Sequence, residues 1–239
     1  SQEPPGTTDE MTPRPKDEMA DYEGRGLLTG RKALITGGDS GIGRAVAVAF
    51  AKEGADVAIA YLSEHEDAEH TVALVEAAGR RAVAVPGDLS EEAACRHAVA
   101  TAVEQLGGLD LLVNNIARQR PVDSLAEVST EEWEATFRTN VHSYFWCTQA
   151  ALEHMPDGSA IINTGSVTGL YGQKDLLDYS MTKGGIHTFT KSLAENLADR
   201  GIRVNAVAPG PVWTPLNPAD QPAERVREFG AGTTMKRPA

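Results

Sequence analysis

One pattern rules out most folds for this chain. Between residues 32 and 208, short runs of Val, Ile, Leu and Ala alternate with helix-spaced stretches, and glycines mark the joints. The runs at Lys32–Thr36, Asp56–Tyr61, 81–85, 109–113, 160–163 and 203–208 are near-continuously apolar, as strands buried on both faces must be. Between them, 42–53, 66–78, 91–105, 131–151 and 179–199 carry helical spacing, several ending at glycines such as Gly54, Gly79 and Gly107. Helices of this length between buried strands imply right-handed crossovers, so the expectation is a six-stranded parallel α/β layer sandwich.

The rest of the 239 residues narrows the function. A net charge of −12 leaves no polycationic surface for nucleic acid or anionic membrane. The apolar runs fall far below the ~20 residues of a membrane span. Cys95 and Cys147 are too few for a disulfide scaffold and lack partners at metal-ligand spacing, which suits a reducing, cytoplasmic setting. Residues 1–26 hold four prolines, ten charged residues and one aromatic without any period, which predicts a tail that is disordered or strapped along a surface. Residues 27–239 then form one domain.

Two constellations carry chemistry. Thr36-Gly37-Gly38-Asp39-Ser40-Gly41-Ile42-Gly43 joins the first strand to the first helix. Glycines there let backbone approach a pyrophosphate resting on the helix N-terminus, although the same residues would also make a merely tight turn. In the second, Tyr179 and Lys183 share one helix face, and Ser166 lies just past the strand at 160–163. A phenol needs help to transfer a proton near neutrality, and an ammonium one turn away favours the phenolate, while a neutral hydroxyl can hold a substrate oxygen.

Thr36 to Gly43, Asn114-Asn115-Ile116-Ala117, Asn140, Ser166, Tyr179-x3-Lys183 and Pro209-Gly210, in this order, resemble the short-chain dehydrogenase/reductase family over about residues 30–216. The proline-rich extension, Gly38-Asp39-Ser40 and Tyr61-x3-His65-Glu66-Asp67 are similar to its glucose/ribitol dehydrogenase-like subgroup, which reduces aldehydes or oxidises sugar alcohols. The resemblance implies a Rossmann-type doubly wound sheet and an oxidoreductase interconverting alcohol and carbonyl with NAD(P)(H). It makes Tyr179 the general acid/base, Lys183 the residue that lowers its pKa and holds the nicotinamide ribose, Ser166 the orienter of the substrate oxygen, and Asn140 the holder of a water linking Lys183 to solvent. Gly37, Asp39, Ser40, Gly41, Ile42 and Gly43 would cradle the dinucleotide. Tyr61, Ser63, Asp88, Leu89 and Asn114 would surround the adenosine, with Ile116 and Ala117 beside them, and Pro209, Gly210, Val212 and Thr214 would close over the nicotinamide.

The family's Asn-Asn-Ala-Gly turn is here Asn-Asn-Ile-Ala, and the family pattern leads to expect a further strand beyond Ala239. Tyr61 stands where NAD-preferring relatives place an acid, and Arg44, Ser63 and His65 are close enough in the fold to meet a 2′-phosphate, so NADP(H) is favoured over NAD(H), with Asp39 as the counter-argument. The segment 211–229, with prolines at 211, 215, 218 and 222, would set specificity, and Trp213 within it either contacts ligand or packs. The His142–Cys147 stretch reads as core or subunit interface, and His65 and His70 as surface side chains. The expected partner is a small alcohol or carbonyl compound, and the expected assembly a homo-oligomer, dimer or tetramer. A silent nucleotide-binding sensor on the same fold, or an isomerase that regenerates its cofactor, are the rivals.

Overall fold

The computed structural model describes residues 2–219 and 223–239. Six parallel strands, β1 (Lys32–Thr36), β2 (Asp56–Tyr61), β3 (Ala82–Pro86), β4 (Leu111–Asn114), β5 (Ala160–Thr164) and β6 (Arg203–Val207), form one sheet in the order β3-β2-β1-β4-β5-β6. Helices α1 (Gly41–Lys52), α2 (His65–Ala77), α3 (Glu92–Leu106), α4 (Thr130–Phe137), α5 (Ser143–Leu152), α6 (Thr168–Tyr171), α7 (Leu177–Asn196) and α8 (Ala223–Arg227) complete the α/β/α layers. This is the doubly wound sheet expected.

Alternation along the central strands feeds two cores. Leu34, Leu112 and Ile161 pack with Val99, Leu106, Cys147 and Ala151, whereas their neighbours Ile35 and Val113 pack with Ile59, Ala47, Ala51 and Val75. Each fully buried Leu or Ile stabilises such a core by about 1.5–3 kcal/mol relative to exposure. The expectation of six strands buried on both faces holds for β2, all of whose residues are buried, and fails at the edges. In β3 and β6 exposed residues alternate with buried ones, because an edge strand is covered on fewer sides.

The stretch 131–151 is not one regular helix. Between α4 and α5, Arg138–His142 winds as a π-helix, and the buried Asn140 sits inside it. Residues 2–26 are strapped onto the domain. Met11, Thr8 and Asp17 are buried, Tyr22 donates to Glu53, and Glu53 also accepts the backbone N–H of Leu27 at 2.8 Å. Among the described residues, no helix is long and apolar enough to cross a membrane.

Candidate active site

Strand order fixes where a ligand can sit. After β3 the chain returns to the other side of β1, so a crevice opens beyond the carboxyl ends of β1 and β4, the switch point of a doubly wound sheet. A cleft of about 350 Å³ lies there, and both sequence constellations open into it.

Its floor is the β1–α1 turn. Gly37 and Gly41 adopt φ of +64° and +52°, which side chains rarely adopt. A Cβ on Gly43 would overlap the Gly37 carbonyl oxygen, and one on Gly41 would come within 2.8 Å of Thr214, so the turn is wound tightly beneath the 211–219 segment. Asn115 ties the turn to β4. Its Nδ2 donates to the carbonyls of Thr36 and Gly37 at 3.2 and 3.1 Å, and its Oδ1 accepts from the Thr164 hydroxyl.

The opposite end is built by β5 and α7. Ser166 follows β5, and its Oγ accepts from the backbone N–H and the hydroxyl of Thr168 at 3.1 and 2.9 Å. His187, one turn beyond Lys183 on α7, faces the Ser166 carbonyl at 3.1 Å. Tyr179 and Lys183 project from one face of α7, with the Lys183 Nζ 5.6 Å from the Tyr179 ring centre. That Nζ donates to the Thr164 carbonyl at 2.8 Å and to the Tyr144 hydroxyl at 3.2 Å. An ammonium has three donors, which leaves one for a sugar hydroxyl.

Electrostatics here differ from the expectation in one respect. Burial pushes Tyr179 up to about 12, opposed by its hydrogen bond with Ser166, instead of the neighbouring cation drawing it toward neutrality. Burial also brings Lys183 down to about 7, which weakens the cation expected to favour the phenolate. Desolvation penalises both charged forms at once.

The end of the cleft beside β2 and α2 is acidic. Asp39 is pushed up to about 6 by burial and by the nearby Glu64 and Asp67, against a hydrogen bond from Ser40. Asp39, Tyr61, Glu64 and Asp88 all line the cleft, whereas Arg44 does not. Its guanidinium is fully buried, donating to the Asp39 carbonyl at 2.7 Å, the Asp67 carboxylate at 2.7 Å and the Thr71 hydroxyl at 3.0 Å, with Asp17 at 3.4 Å. Arg44 is therefore a structural knot, not a phosphate ligand. His65 is likewise engaged, its Nδ1 lying 2.9 Å from the Tyr61 hydroxyl.

Of the remaining expected residues, Gly37, Ser40, Gly41, Ile42, Ile116 and Ala117 line the cleft, as do Pro209, Gly210, Val212 and Thr214. Gly43, Ser63, Leu89, Asn114 and Asn140 are not part of the lining, Gly43 because it packs against the Gly37 carbonyl inside the turn. Asn114 points into the sheet, its Nδ2 donating to Asn163 at 3.0 Å and to Thr148 at 3.1 Å, while its neighbour Asn115 reaches the cleft. Leu89 is buried beneath the Cys95 thiol, which donates to its carbonyl. Asn140 grips the backbone of Arg118 from both sides, accepting its N–H at 2.7 Å and donating to its carbonyl at 2.8 Å, and also donates to the Thr182 hydroxyl beside Lys183. Trp213 turns away from the cleft and donates its indole N–H to the Pro13 carbonyl at 2.7 Å. Pro222 lies outside the described residues.

Sequence reasoning missed Tyr144, Asn115 and the cleft-lining Glu64. Tyr144 read as core because its stretch is apolar, and it is fully buried, yet its hydroxyl is the second anchor of Lys183. Its one signal was a hydroxyl on an otherwise apolar helix face. Asn115 could have been found by alternation, since it follows the inward-pointing Asn114.

The comparisons fit this geometry. A family model described as short chain dehydrogenase matches residues 31–225. The uncharacterized oxidoreductase YhdF of Bacillus subtilis is 55% identical over 234 residues, covering 98% of this chain and 81% of the relative. The NADPH-dependent aldehyde reductase 1, chloroplastic, of Arabidopsis thaliana is 45% identical over 239 residues, covering 98% and 83%. Among solved structures, a short chain dehydrogenase from Burkholderia cenocepacia in complex with NADP superposes with a TM-score of 0.83 at 36% identity, covering 89% of this chain and 86% of the other.

Proposed function

Because the chain belongs to the short chain dehydrogenase family, we propose that it is an oxidoreductase interconverting a small alcohol and its aldehyde or ketone, with NADP(H) favoured over NAD(H). The observation that carries this reading is the convergence of Ser166, Tyr179 and Lys183 on the same cleft as the glycine turn. The cofactor preference is supported by the NADP complex and by the NADPH-dependent relative. Against it stands the acid at the adenosine end, with Asp39 and Glu64 in the lining and Arg44 bound elsewhere.

The residues present fit a dinucleotide. The turn beneath it has no room for side chains at Gly41 or Gly43, so backbone lies bare where a pyrophosphate would rest. When bound, the nicotinamide supplies or accepts the hydride. In the reductive direction, the Ser166 hydroxyl holds the carbonyl oxygen, and Tyr179, neutral at all ordinary pH, donates its proton to that oxygen. Lys183 then faces the resulting phenolate, and its third donor takes a ribose hydroxyl. Tyr144 and the Thr164 carbonyl hold the ammonium in place, and Asn140 holds the Arg118 loop against Thr182. Pro209, Gly210, Val212 and Thr214 cover the nicotinamide end. The homo-oligomer reading draws on Leu170, Tyr171 and Met181, exposed apolar side chains on the neighbouring helices α6 and α7.

The test is a panel of short aldehydes, ketones, sugars and polyols assayed with NADPH and NADH, following absorbance of the reduced nicotinamide. Turnover of at least one carbonyl compound, faster with NADPH, is expected. Dinucleotide binding with no net redox change across the panel would instead point to the sensor or the isomerase.

A further inference from the structure

The N-terminal segment is attached to the cleft at α1, at α2 and at residues 211–219. On the α2 side, the Thr8 N–H donates to Asp67 at 2.9 Å. At the start of α1, Asp17 accepts the Gly41 N–H at 2.8 Å, so its carboxylate caps the helix that opens the glycine turn. On the far side the segment grips residues 211–219. The Trp213 indole donates to the Pro13 carbonyl, the Gln2 N–H donates to the Pro218 carbonyl at 3.2 Å, and Gln2 pairs with Ala219 in a single parallel bridge. Gly6 is packed so closely that a Cβ would stand 2.7 Å from the Pro215 carbonyl oxygen. Between these anchors Pro4, Pro5 and Gly6 form part of the cleft wall itself.

A proline-rich, highly charged stretch has no intrinsic reason to lie buried, and ordering it costs about 1–2 kcal/mol of backbone entropy per residue. Here the segment is nonetheless packed against the domain: Met11 is 3% exposed and Thr8 6%. The anchors join the α2 side of the cleft to the 211–219 segment.

We propose that residues 2–17 are a working wall of the dinucleotide site, a strap that spans its mouth and ties the 211–219 segment to α1 and α2, so that bound dinucleotide leaves only when the strap detaches. This rests on the cofactor reading above. Gln2, Pro13 and Asp17 are positioning residues in it, acting through the segment they hold. Dinucleotide beneath the strap in turn holds the strap down, since binding and detachment exclude each other.

The experiment uses the full chain and NADPH. Trypsin cuts after Lys16, an exposed residue at the end of the strap, and mass spectrometry follows that cut with and without NADPH. NADPH dissociation is measured in parallel by displacement with NADP+, following nicotinamide fluorescence. NADPH should slow the cut at Lys16 severalfold. Gln2→Pro, which has no N–H for the Pro218 carbonyl, and Trp213→Phe, which has none for the Pro13 carbonyl, loosen the strap at two separate anchors and should each speed NADPH release by about two- to tenfold, the range expected for one lost hydrogen bond. Asp9→Ala, which removes an exposed ion pair with Arg14, should leave release unchanged. Equal cutting with and without NADPH, or wild-type release rates in both loosened variants, overturns the strap alone. Failure of the wild-type protein to bind NADPH or NADH overturns the cofactor reading and the strap with it.

Discussion

Tyr179 and Lys183 share one buried environment, and that burial moves them in opposite directions. The phenol rises to about 12 and the amine falls to about 7. In the proposed reaction Tyr179 would therefore start protonated, beside a Lys183 whose charge burial weakens. This arrangement favours carbonyl reduction, because Tyr179 starts protonated and Lys183 matters when the phenolate forms. As pH rises through about 7, Lys183 loses its charge and the phenolate loses its stabilisation. The expected outcome is that kcat/KM for NADPH-dependent reduction falls by about tenfold per unit above pH 7, while Lys183→Arg, whose guanidinium keeps its proton, stays flat over the same range. A wild-type profile flat from about pH 6 to 9 would contradict the assignment. The same shift has a stability sign: between about 7 and the usual 10.5, the unfolded chain binds a proton at Lys183 that the folded chain does not, so this residue makes stability rise with pH across that window.

At the scale of elements, the most consequential packing is between α1, α2 and the strap. Arg44 on α1 is enclosed by Asp17, Asp39, Asp67 and Thr71, and its removal would leave the buried Asp17 and Asp67 carboxylates with backbone N–H donors but without the cation that balances their charge. Arg44→Leu should lower unfolding free energy by about 3–5 kcal/mol in urea melts, the usual cost of breaking a buried ion pair from one side. Arg96→Ala, which breaks the exposed pair with Glu92 on α3, should cost no more than about 0.5 kcal/mol. A wild-type urea midpoint for Arg44→Leu would show that the knot carries no load. Arg44 also shows where sequence reading stops. An arginine four residues into the first helix looked like a phosphate ligand, and only the arrival of Asp17 from a distant segment reassigns it. Asn140 teaches the same lesson, since the π-turn that carries it lies in a stretch whose apolar spacing reads as continuous helix. The central strands, by contrast, were legible to within a residue or two, because burial on both faces writes itself as unbroken Val, Ile, Leu and Ala, as at Asp56–Tyr61.

For the whole molecule, the strand order and the position of the cleft follow from that buried-strand pattern, and the glycine turn, Ser166, Tyr179 and Lys183 fall where the pattern puts them. What the sequence could not display is the path of residues 2–17, because a segment held by backbone hydrogen bonds and single side chains has no period to read. The chain spans about four fifths of the relatives it matches, 81% of YhdF and 83% of the aldehyde reductase. In the proposed reaction, one phenol, Tyr179, transfers the proton. The most direct measurement compares wild type with Tyr179→Phe, titrating NADPH by fluorescence and assaying turnover of a carbonyl compound that the wild type reduces. The variant should bind NADPH within about threefold of wild type, since the lost hydroxyl donates to substrate, and lose at least about 10²-fold in kcat. Turnover at the wild-type rate with intact NADPH binding would contradict the central claim.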